Sequence, residues 1–323
     1  MARPVSRGGA ARRGAALFLA AAWLPRLVAF DFEFTHLGFN AQRWRFARAA
    51  GPGGAADPRD TATVLVDPLA GRLVFGVPEV YAADAGLSLK SAESLMVEHE
   101  VCAILITQNF DDHCHVPTLK MLASRLAPNF VVVAPESARL KLEGIFDKQT
   151  LRFLEAGECV VLPRSEAPRL SSKVVREGAS RRLPGEGLVV TAVRGSRVGP
   201  PWSKRELGFL VGDVADAERV YYEPHGDVTP ARHLRATAVV APVVEQRLGP
   251  LVLVHGRQRA LETANALRAQ TLIPLNNGDG MASGALAKVI EASSCEKKRL
   301  RKDDGKLVVA ETQLGQPFRL NAT

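Results

Sequence analysis

Two acids and two imidazoles follow one another in the segment Asp111-Asp112-His113-Cys114-His115. Carboxylates and imidazoles bind metals and carry protons, so these residue types suit metal-assisted or general acid–base chemistry. A second segment of the same character, Glu223-Pro224-His225-Gly226-Asp227, comes later in the chain. The sequence has no Gly-x-Ser-x-Gly motif for a serine nucleophile. The chemistry is therefore expected at histidine and carboxylate side chains.

Apolar residues on either side of the first segment predict the elements that position it. Ile104, Leu105 and Ile106 form a branched apolar run, which is typical of a buried strand. After the segment, Pro117 suits the start of a helix, and leucines at 119, 122 and 126 recur at helical spacing. The first segment is thus predicted to be a loop at the carboxyl end of a buried strand, where α/β proteins usually place their chemistry.

Two further polar segments are predicted to follow strands. The segment at 223–227 comes after a predicted strand at 219–222, and Asn276-Asn277-Gly278-Asp279-Gly280 comes after one at 271–275. In one open sheet or sandwich, such loops can meet at a single edge.

Residues 103–122 resemble the metallo-β-lactamase fold, in which a strand ends in His-x-His-x-Asp-His and carries two metals. Pro117-Thr118-Leu119 is similar to the branch that includes the ascorbate-phosphate lactonases. Thr107-Gln108 followed by residues 111–115 resembles a plant, algal and cyanobacterial group of the same superfamily. The resemblance extends over about residues 31–290 and implies an α/β fold of one domain, a four-layer αββα sandwich.

The chain departs from the metal motif that this resemblance implies. The two leading histidines are replaced by Gln108 and Phe110, and Asn276 stands where the last histidine is usual. Pro224 lies nearest the place of the bridging aspartate, and residues 194–202 contain no histidine. The ordinary dinuclear site is therefore expected to be lost.

Three interpretations of the remaining residues stay open. Asp112, His113 and His225, with His115 or Glu223, could bind one zinc or iron ion. His113 or His225 could act instead as a metal-free general base for hydrolysis or lactone opening, oriented by Asp112 or Glu223. In the third interpretation, Asp112 and His113 are a buried hydrogen-bonded pair that holds the loop.

The function predicted first is that of a hydrolase-like protein with at most one metal, acting on a small polar or phosphorylated molecule. Asp112, His113 and His225 would be its catalytic residues. The alternative is a catalytically inactive pseudo-enzyme that binds a ligand or a partner. The pocket is predicted to include Gln108, Asp111, Trp202, Asn276, Asn277 and Asp279.

The charge and composition limit the partners. The net charge is +8, but residues 1–30 contain five arginines and no acid, so +5 of it belongs to this segment. Nucleic acid is therefore not the expected partner. Residues 1–30 are predicted to be a targeting leader to a plastid, or alternatively into the secretory pathway, and their apolar run at 15–24 is too short to span a bilayer. Residues 31–323 are then one domain with a short basic tail around 297–302.

Overall fold

The computed structural model describes residues 30–48, 61–163, 174–176, 187–197, 202–213, 219–276, 282–293 and 307–320. The predicted leader before residue 30, the pocket candidates Asn277 and Asp279, and the basic run at 297–302 lie outside the described residues.

The strands are numbered in chain order. They are β1 Phe30–Gly38, β2 Ala41–Arg48, β3 Thr61–Val66, β4 Arg72–Phe75, β5 Tyr81–Asp84, β6 Val101–Leu105, β7 Val131–Pro135, β8 Leu151–Leu154, β9 Glu158–Pro163, β10 Val174–Arg176, β11 Gly187–Arg197, β12 Arg205–Asp213, β13 Arg219–Tyr222, β14 Ala238–Pro242, β15 Gln246–Leu248, β16 Leu251–Val254, β17 Thr271–Leu275, β18 Ala282–Ser283, β19 Ile290–Ala292, β20 Val308–Val309 and β21 Pro317–Leu320. The α-helices are α1 Leu89–Val97, α2 Val116–Arg125, α3 Arg139–Glu143 and α4 Arg257–Leu267.

Most of the strands form two large mixed sheets. The first sheet has the order β21-β1-β2-β3-β6-β7-β8, and its strands are parallel from β3 to β8. The second has the order β10-β9-β11-β12-β13-β14-β17-β20 and is parallel from β13 to β20. Two three-stranded sheets, β16-β15-β19 and β18-β5-β4, flank them.

Alternation along the strands divides the apolar residues into separate cores. In β7, Val131 and Val133 pack between the two sheets, whereas Val132 and Ala134 pack on the opposite face, towards α1, α2 and α3. Helix α4 covers the outer face of the second sheet through Ala260, Ala264 and Leu267. The layers are therefore helix, sheet, sheet and helix, which confirms the predicted αββα sandwich.

The sequence favours a helix from Ser137 to Phe146, because serine is a common N-cap, but this prediction is wrong at the beginning of the helix. Residues Glu136–Ala138 form a 3₁₀ turn, and α3 extends only from Arg139 to Glu143. The Ser137 hydroxyl donates to Glu206 Oε2 at 2.8 Å, so it contacts the second sheet rather than capping a helix.

Hydrogen bonds beyond the strand ends bring several loops together. The amide of Asp67, just after β3, donates to Leu105 O at 2.9 Å, and Ile106 N donates to Val133 O at 2.8 Å. Leu207 N in β12 donates to Thr107 O at 3.1 Å, which joins the end of β6 to the second sheet. The carboxyl ends of β3 and β6 are thus fixed against the second sheet, and this edge carries the candidate site.

Among the described helices, none has the length and apolar character needed to cross a bilayer.

Candidate functional site

His113 lies between two carboxylates. Its Nδ1 is 2.8 Å from Asp67 Oδ2, and its Nε2 is 3.2 Å from Asp112 Oδ2. The His113 ring is 1% exposed and Asp67 is fully buried, whereas the Asp112 side chain is 26% exposed. The histidine therefore connects a deep carboxylate to one that reaches the surface.

The two carboxylates decide the charge of this ring. Burial alone would lower the pKa of His113, but Asp112 and Asp67 outweigh it and raise the pKa to about 10. Burial alone would raise the pKa of Asp112, but the positive charge of His113 outweighs it and lowers that pKa. At neutral pH the site thus contains an imidazolium that donates to a carboxylate from each nitrogen.

This charge state also orients Asn40, which belongs to the turn between β1 and β2. Its Nδ2 is placed 3.1 Å from His113 Nε2, while its Oδ1 is buried with no hydrogen-bond partner among the described residues. An imidazolium Nε2 has no lone pair to accept from Nδ2. Turning the amide over presents Oδ1 to the ring and gives up only the 3.5 Å contact of Nδ2 with Asp112.

Asp67 accepts hydrogen bonds from several elements at once. Oδ1 accepts from Thr107 N at 2.8 Å, and Oδ2 accepts from Thr107 Oγ1 at 2.6 Å, from His113 and, at 3.4 Å, from the Tyr222 hydroxyl. The backbone of Asp67 has φ 44°, a left-handed value that few non-glycine residues adopt. Such values are usually maintained by surrounding structure at functional sites, and these donors come from both large sheets.

His225 faces His113 in the opposite protonation state. The two ring centroids are 5.6 Å apart. Burial and the positive charge of His113 lower the pKa of His225, so its ring is neutral at pH 7. Nδ1 donates to Leu253 O at 2.7 Å, which leaves the lone pair on Nε2. That Nε2 is buried and has no hydrogen-bond partner among the described residues.

Glu223 fixes the loop that carries His225. Its Oε1 accepts from Ser196 N at 3.1 Å, from Ser196 Oγ at 2.5 Å and from His225 N at 3.4 Å. Its Oε2 accepts from Gly226 N at 2.6 Å. Gly226 has φ +67°, so the chain reverses sharply just after the histidine. Both oxygens of Glu223 are thus used in building the loop.

Gln108 is a second buried side chain of this region with unpartnered polar atoms. It is 1% exposed, and neither Oε1 nor Nε2 has a hydrogen-bond partner among the described residues. Its neighbour Thr107 contacts both Asp67 and His113. A buried amide that forms no hydrogen bond loses the hydration of the unfolded state, so such a group often marks a place where a ligand binds.

The other predicted site residues have different surroundings. His115 Nδ1 bonds Thr118 Oγ1 at 2.7 Å, and Thr118 Oγ1 also accepts from Ala70 N. Asp111 pairs with Lys141 at 2.8 Å on the surface. Trp202 is 84% exposed, and Asn276 is half-buried at the end of β17. The roles assigned to these four from the sequence remain predictions.

Whether a metal would fit here depends on the side chains that are free to act as ligands. Three or more His, Cys, Asp or Glu side chains arranged to hold a metal are not found anywhere in the described part of the chain. Both ring nitrogens of His113 are engaged by Asp67 and Asp112, and Glu223 uses both oxygens within its loop. The arrangement therefore does not fit a resident zinc or iron, although the superfamily usually carries one.

Sequence reasoning missed three contributors to this site: Asn40, Asp67 and Tyr222. Asp67 had a usable signal, because it directly follows a strand that runs parallel to β6 and so ends at the same edge. Asn40 and Tyr222 had no such signal in the sequence. Asn40 contacts His113 from 73 residues away, and Tyr222 contacts Asp67 from 155 residues away.

A family model described as the β-lactamase superfamily domain matches residues 57–276, more than half of the chain. Among curated proteins, none matches the chain at a significant level.

Several solved structures share the fold. A possible metal-dependent hydrolase from Veillonella parvula is 13% identical with a TM-score of 0.51, over 91% of this chain and all of that one. The CmlA β-hydroxylase E377D mutant is 14% identical with a TM-score of 0.52, over 90% of this chain. The present chain spans 54% of the length of CmlA.

These similarities are low in identity and concern the fold, and the narrower branch suggested by Pro117-Thr118-Leu119 stays a prediction. The family match, the two facing sheets and the loops gathered at the carboxyl ends of β3, β6 and β13 all agree. The chain therefore belongs to the β-lactamase superfamily and has the metallo-β-lactamase fold.

Proposed function

We propose that this hydrolase-like protein binds a small polar molecule at His225, in a pocket that works without a resident metal. One observation carries the proposal: the unprotonated Nε2 of His225 is buried and has no partner, whereas the other ring nitrogens of the His113–His225 pair are engaged. Burying an acceptor without a hydrogen bond costs about 1–3 kcal/mol. A bound molecule that donates to Nε2 would remove this cost.

In this proposal the charged His113 is a structural centre. Its two hydrogen bonds hold Asp67 and Asp112 in place, so the ring is not free to bind a metal or to take a proton from a substrate. His225 then provides a free acceptor, and Gln108, next in the chain to Thr107, has two further buried polar atoms without a partner among the described residues.

The proposal is tested by thermal-shift screening of a small-molecule library against the leader-free protein. Hits should stabilise the wild type but not His225→Gln, which removes the ring acceptor. His99→Gln is the matched control, since the His99 side chain is 32% exposed and its ion-pair partner is Glu98. Equal stabilisation of wild type and His225→Gln, or no hit at all, would overturn the proposal.

Metal analysis of the same preparations tests the second half of the proposal. Protein purified without chelator should contain the same amount of metal with and without the His225→Gln change. About one zinc or iron per chain, lost in His225→Gln and kept in His99→Gln, would show instead that His225 is a metal ligand.

The free Nε2 also favours a second function, metal-free hydrolysis of an ester or lactone. The water oxygen would bond to the carbonyl carbon while its proton passes to Nε2, and the departing alkoxide would take that proton as the C–O bond breaks. Screening of esters and lactones should then show turnover that His225→Gln abolishes and His99→Gln retains. Binding without turnover would leave the pseudo-enzyme interpretation.

A further inference from the structure

The His113–His225 pocket has a negative balance of charge. Glu223, Asp112 and His113 all act electrostatically on His225, and Asp67 acts on His113 from the opposite side. Three carboxylates thus face one imidazolium, which leaves the cluster two charges negative. Loss of the His113 proton would only make it more negative. The net charge of the cluster is therefore negative whether or not His113 is protonated.

Two cations of the adjoining elements, Lys141 and Arg205, are paired with carboxylates of their own. Lys141 pairs with Asp111 at 2.8 Å and also donates to Asn109 O. Arg205 pairs with Asp227 at 3.0 Å. Glu206, whose pKa is raised by burial, also lies within electrostatic reach of His113.

The unpartnered atoms favour a ligand that donates hydrogen bonds, which agrees with the negative charge around them. His225 Nε2 accepts and cannot donate, because the proton of the neutral ring is on Nδ1. Asp112 is the partly exposed carboxylate beside it, and as an ion it only accepts. Gln108 can both donate and accept, so its amide adapts to either kind of ligand.

We infer that this pocket recognises a hydroxyl or ammonium group of an uncharged or cationic molecule, and that it discriminates against phosphorylated and carboxylated ones. A fully ionised phosphoryl group has only acceptors to offer Nε2, and it would meet net negative charge. A hydroxyl or ammonium donates to Nε2, and the ammonium is also attracted by the carboxylates. The inference rests on the proposed binding function and narrows its ligand class.

Matched pairs of probes test the charge preference directly. Ethanolamine with O-phosphoethanolamine, and glucose with glucose 6-phosphate, differ by one phosphoryl group each. The readout is the ring Nε2 signal of His225 in ¹⁵N-histidine-labelled protein, assigned by its loss in His225→Gln. The unphosphorylated member of at least one pair should shift this signal at concentrations at which its phosphorylated partner does not. The two pairs separate an ammonium preference from a hydroxyl preference.

Three outcomes would overturn the inference. One is a larger His225 shift with the phosphorylated members or with inorganic phosphate. Another is a saturating shift with Zn²⁺ at one ion per chain, since the same acceptors would then be metal ligands. The last is a signal that no probe moves. Library hits that need His225 but carry phosphate would reject this ligand class while leaving the proposed function intact.

Discussion

A buried histidine that touches two carboxylates carries its charge at the cost of lost hydration, and the carboxylates must compensate for that cost. At His113 they do so, because the hydrogen bonds to Asp67 and Asp112 are made by the charged ring. His225, 5.6 Å away by ring centroid, has no carboxylate from the described residues bonded to its ring, and it is neutral. Two identical residue types thus acquire different roles from their immediate partners.

Asp67→Asn should destabilise the protein strongly. The amide group keeps the size of the carboxylate but removes the charge opposite His113 and turns one acceptor into a donor. Breaking a buried charged pair from one side costs about 3–5 kcal/mol. The free energy of unfolding, measured in urea, checks this value.

Asp111→Asn is the control for this change. Asp111 makes an exposed pair with Lys141, so its loss should cost less than about 1 kcal/mol. Similar losses in the two variants would contradict the account of Asp67 as the buried counter-charge of His113.

The charge of His113 also predicts how stability depends on pH. Its pKa is about 10 in the folded protein against 6.5 for the free group, so the folded state holds the proton more tightly. This contribution is complete below pH 6.5 and is lost as the pH rises towards 10. The free energy of unfolding should therefore fall with rising pH by at most about 1.4 kcal/mol per pH unit.

His113→Gln removes this titration and is the comparison to make. Burial raises the pKa of the Cys114 thiol to about 12, so that group also affects stability in the alkaline range. Measurements from pH 6.5 to about 7.5 stay below the ordinary thiol pKa of about 8.5. A decline of equal slope in wild type and His113→Gln would contradict the assignment.

At the scale of elements, the β1–β2 hairpin is what brings Asn40 to His113. The hairpin turns at Gly38, whose φ of +110° and close contact with Ala85 leave no room for a side chain. An added Cβ would overlap Ala85 O. The position of this turn, and hence of Asn40, therefore depends on Gly38, which has no side chain that could contact the site.

Gly38→Ala should destabilise the protein by more than the conformational strain alone. Gly76 is the matched control, because it also has a positive φ, +71°, but has open space where a Cβ would be. Gly76→Ala should cost about 1–2 kcal/mol, the usual cost of a left-handed L residue, and Gly38→Ala distinctly more. Denaturant titration of both variants distinguishes these values, and equal costs would show that the contact with Ala85 is unimportant.

Helices and strands could be predicted where neighbouring residues in the sequence determine them. The buried strands β6 and β7 and helix α2 were predictable, because branched apolar runs and leucines at helical spacing determine them locally. The beginning of α3 was not, since Ser137 contacts Glu206, 69 residues further along the chain. In the site, acids and imidazoles at strand ends predicted His113 and His225 as candidates. Their opposite charge states depend on Asp67, which comes from another element, and on the burial of His225 beside the charged His113.

At the scale of the whole molecule, the two sheets are held together by aromatic packing next to the site. Trp44 in the first sheet is fully buried, and its ring centroid lies 6.3 Å from that of Tyr222 in the second. Its Nε1 donates to Gln42 Oε1 at 2.9 Å, so the buried indole has its hydrogen bond. The same Tyr222 donates to Asp67, so sheet packing and site geometry share one residue.

Trp44→Ala should cost about 3–5 kcal/mol, because it opens a cavity between the sheets that the surrounding residues can only partly fill. Trp202→Ala is the control with the same change of side chain. Trp202 is 84% exposed, so that variant should stay within about 0.5 kcal/mol of the wild type. Equal unfolding free energies for the two variants would contradict the assignment of Trp44 to the core.

The pairing of β1 with β21 has a consequence for synthesis of the protein. Residues Phe32–Thr35 pair with residues 317–320, so the outer edge of β1 is covered by a segment that is synthesised much later, since Glu33 and Arg319 are 286 residues apart. Until then a growing chain exposes the backbone groups of β1, and an open strand edge is a template for pairing with other chains. The interval between the emergence of β1 and the arrival of β21 is therefore the period in which aggregation competes most directly with folding. A chaperone that shields the β1 edge during translation would protect the whole first sheet.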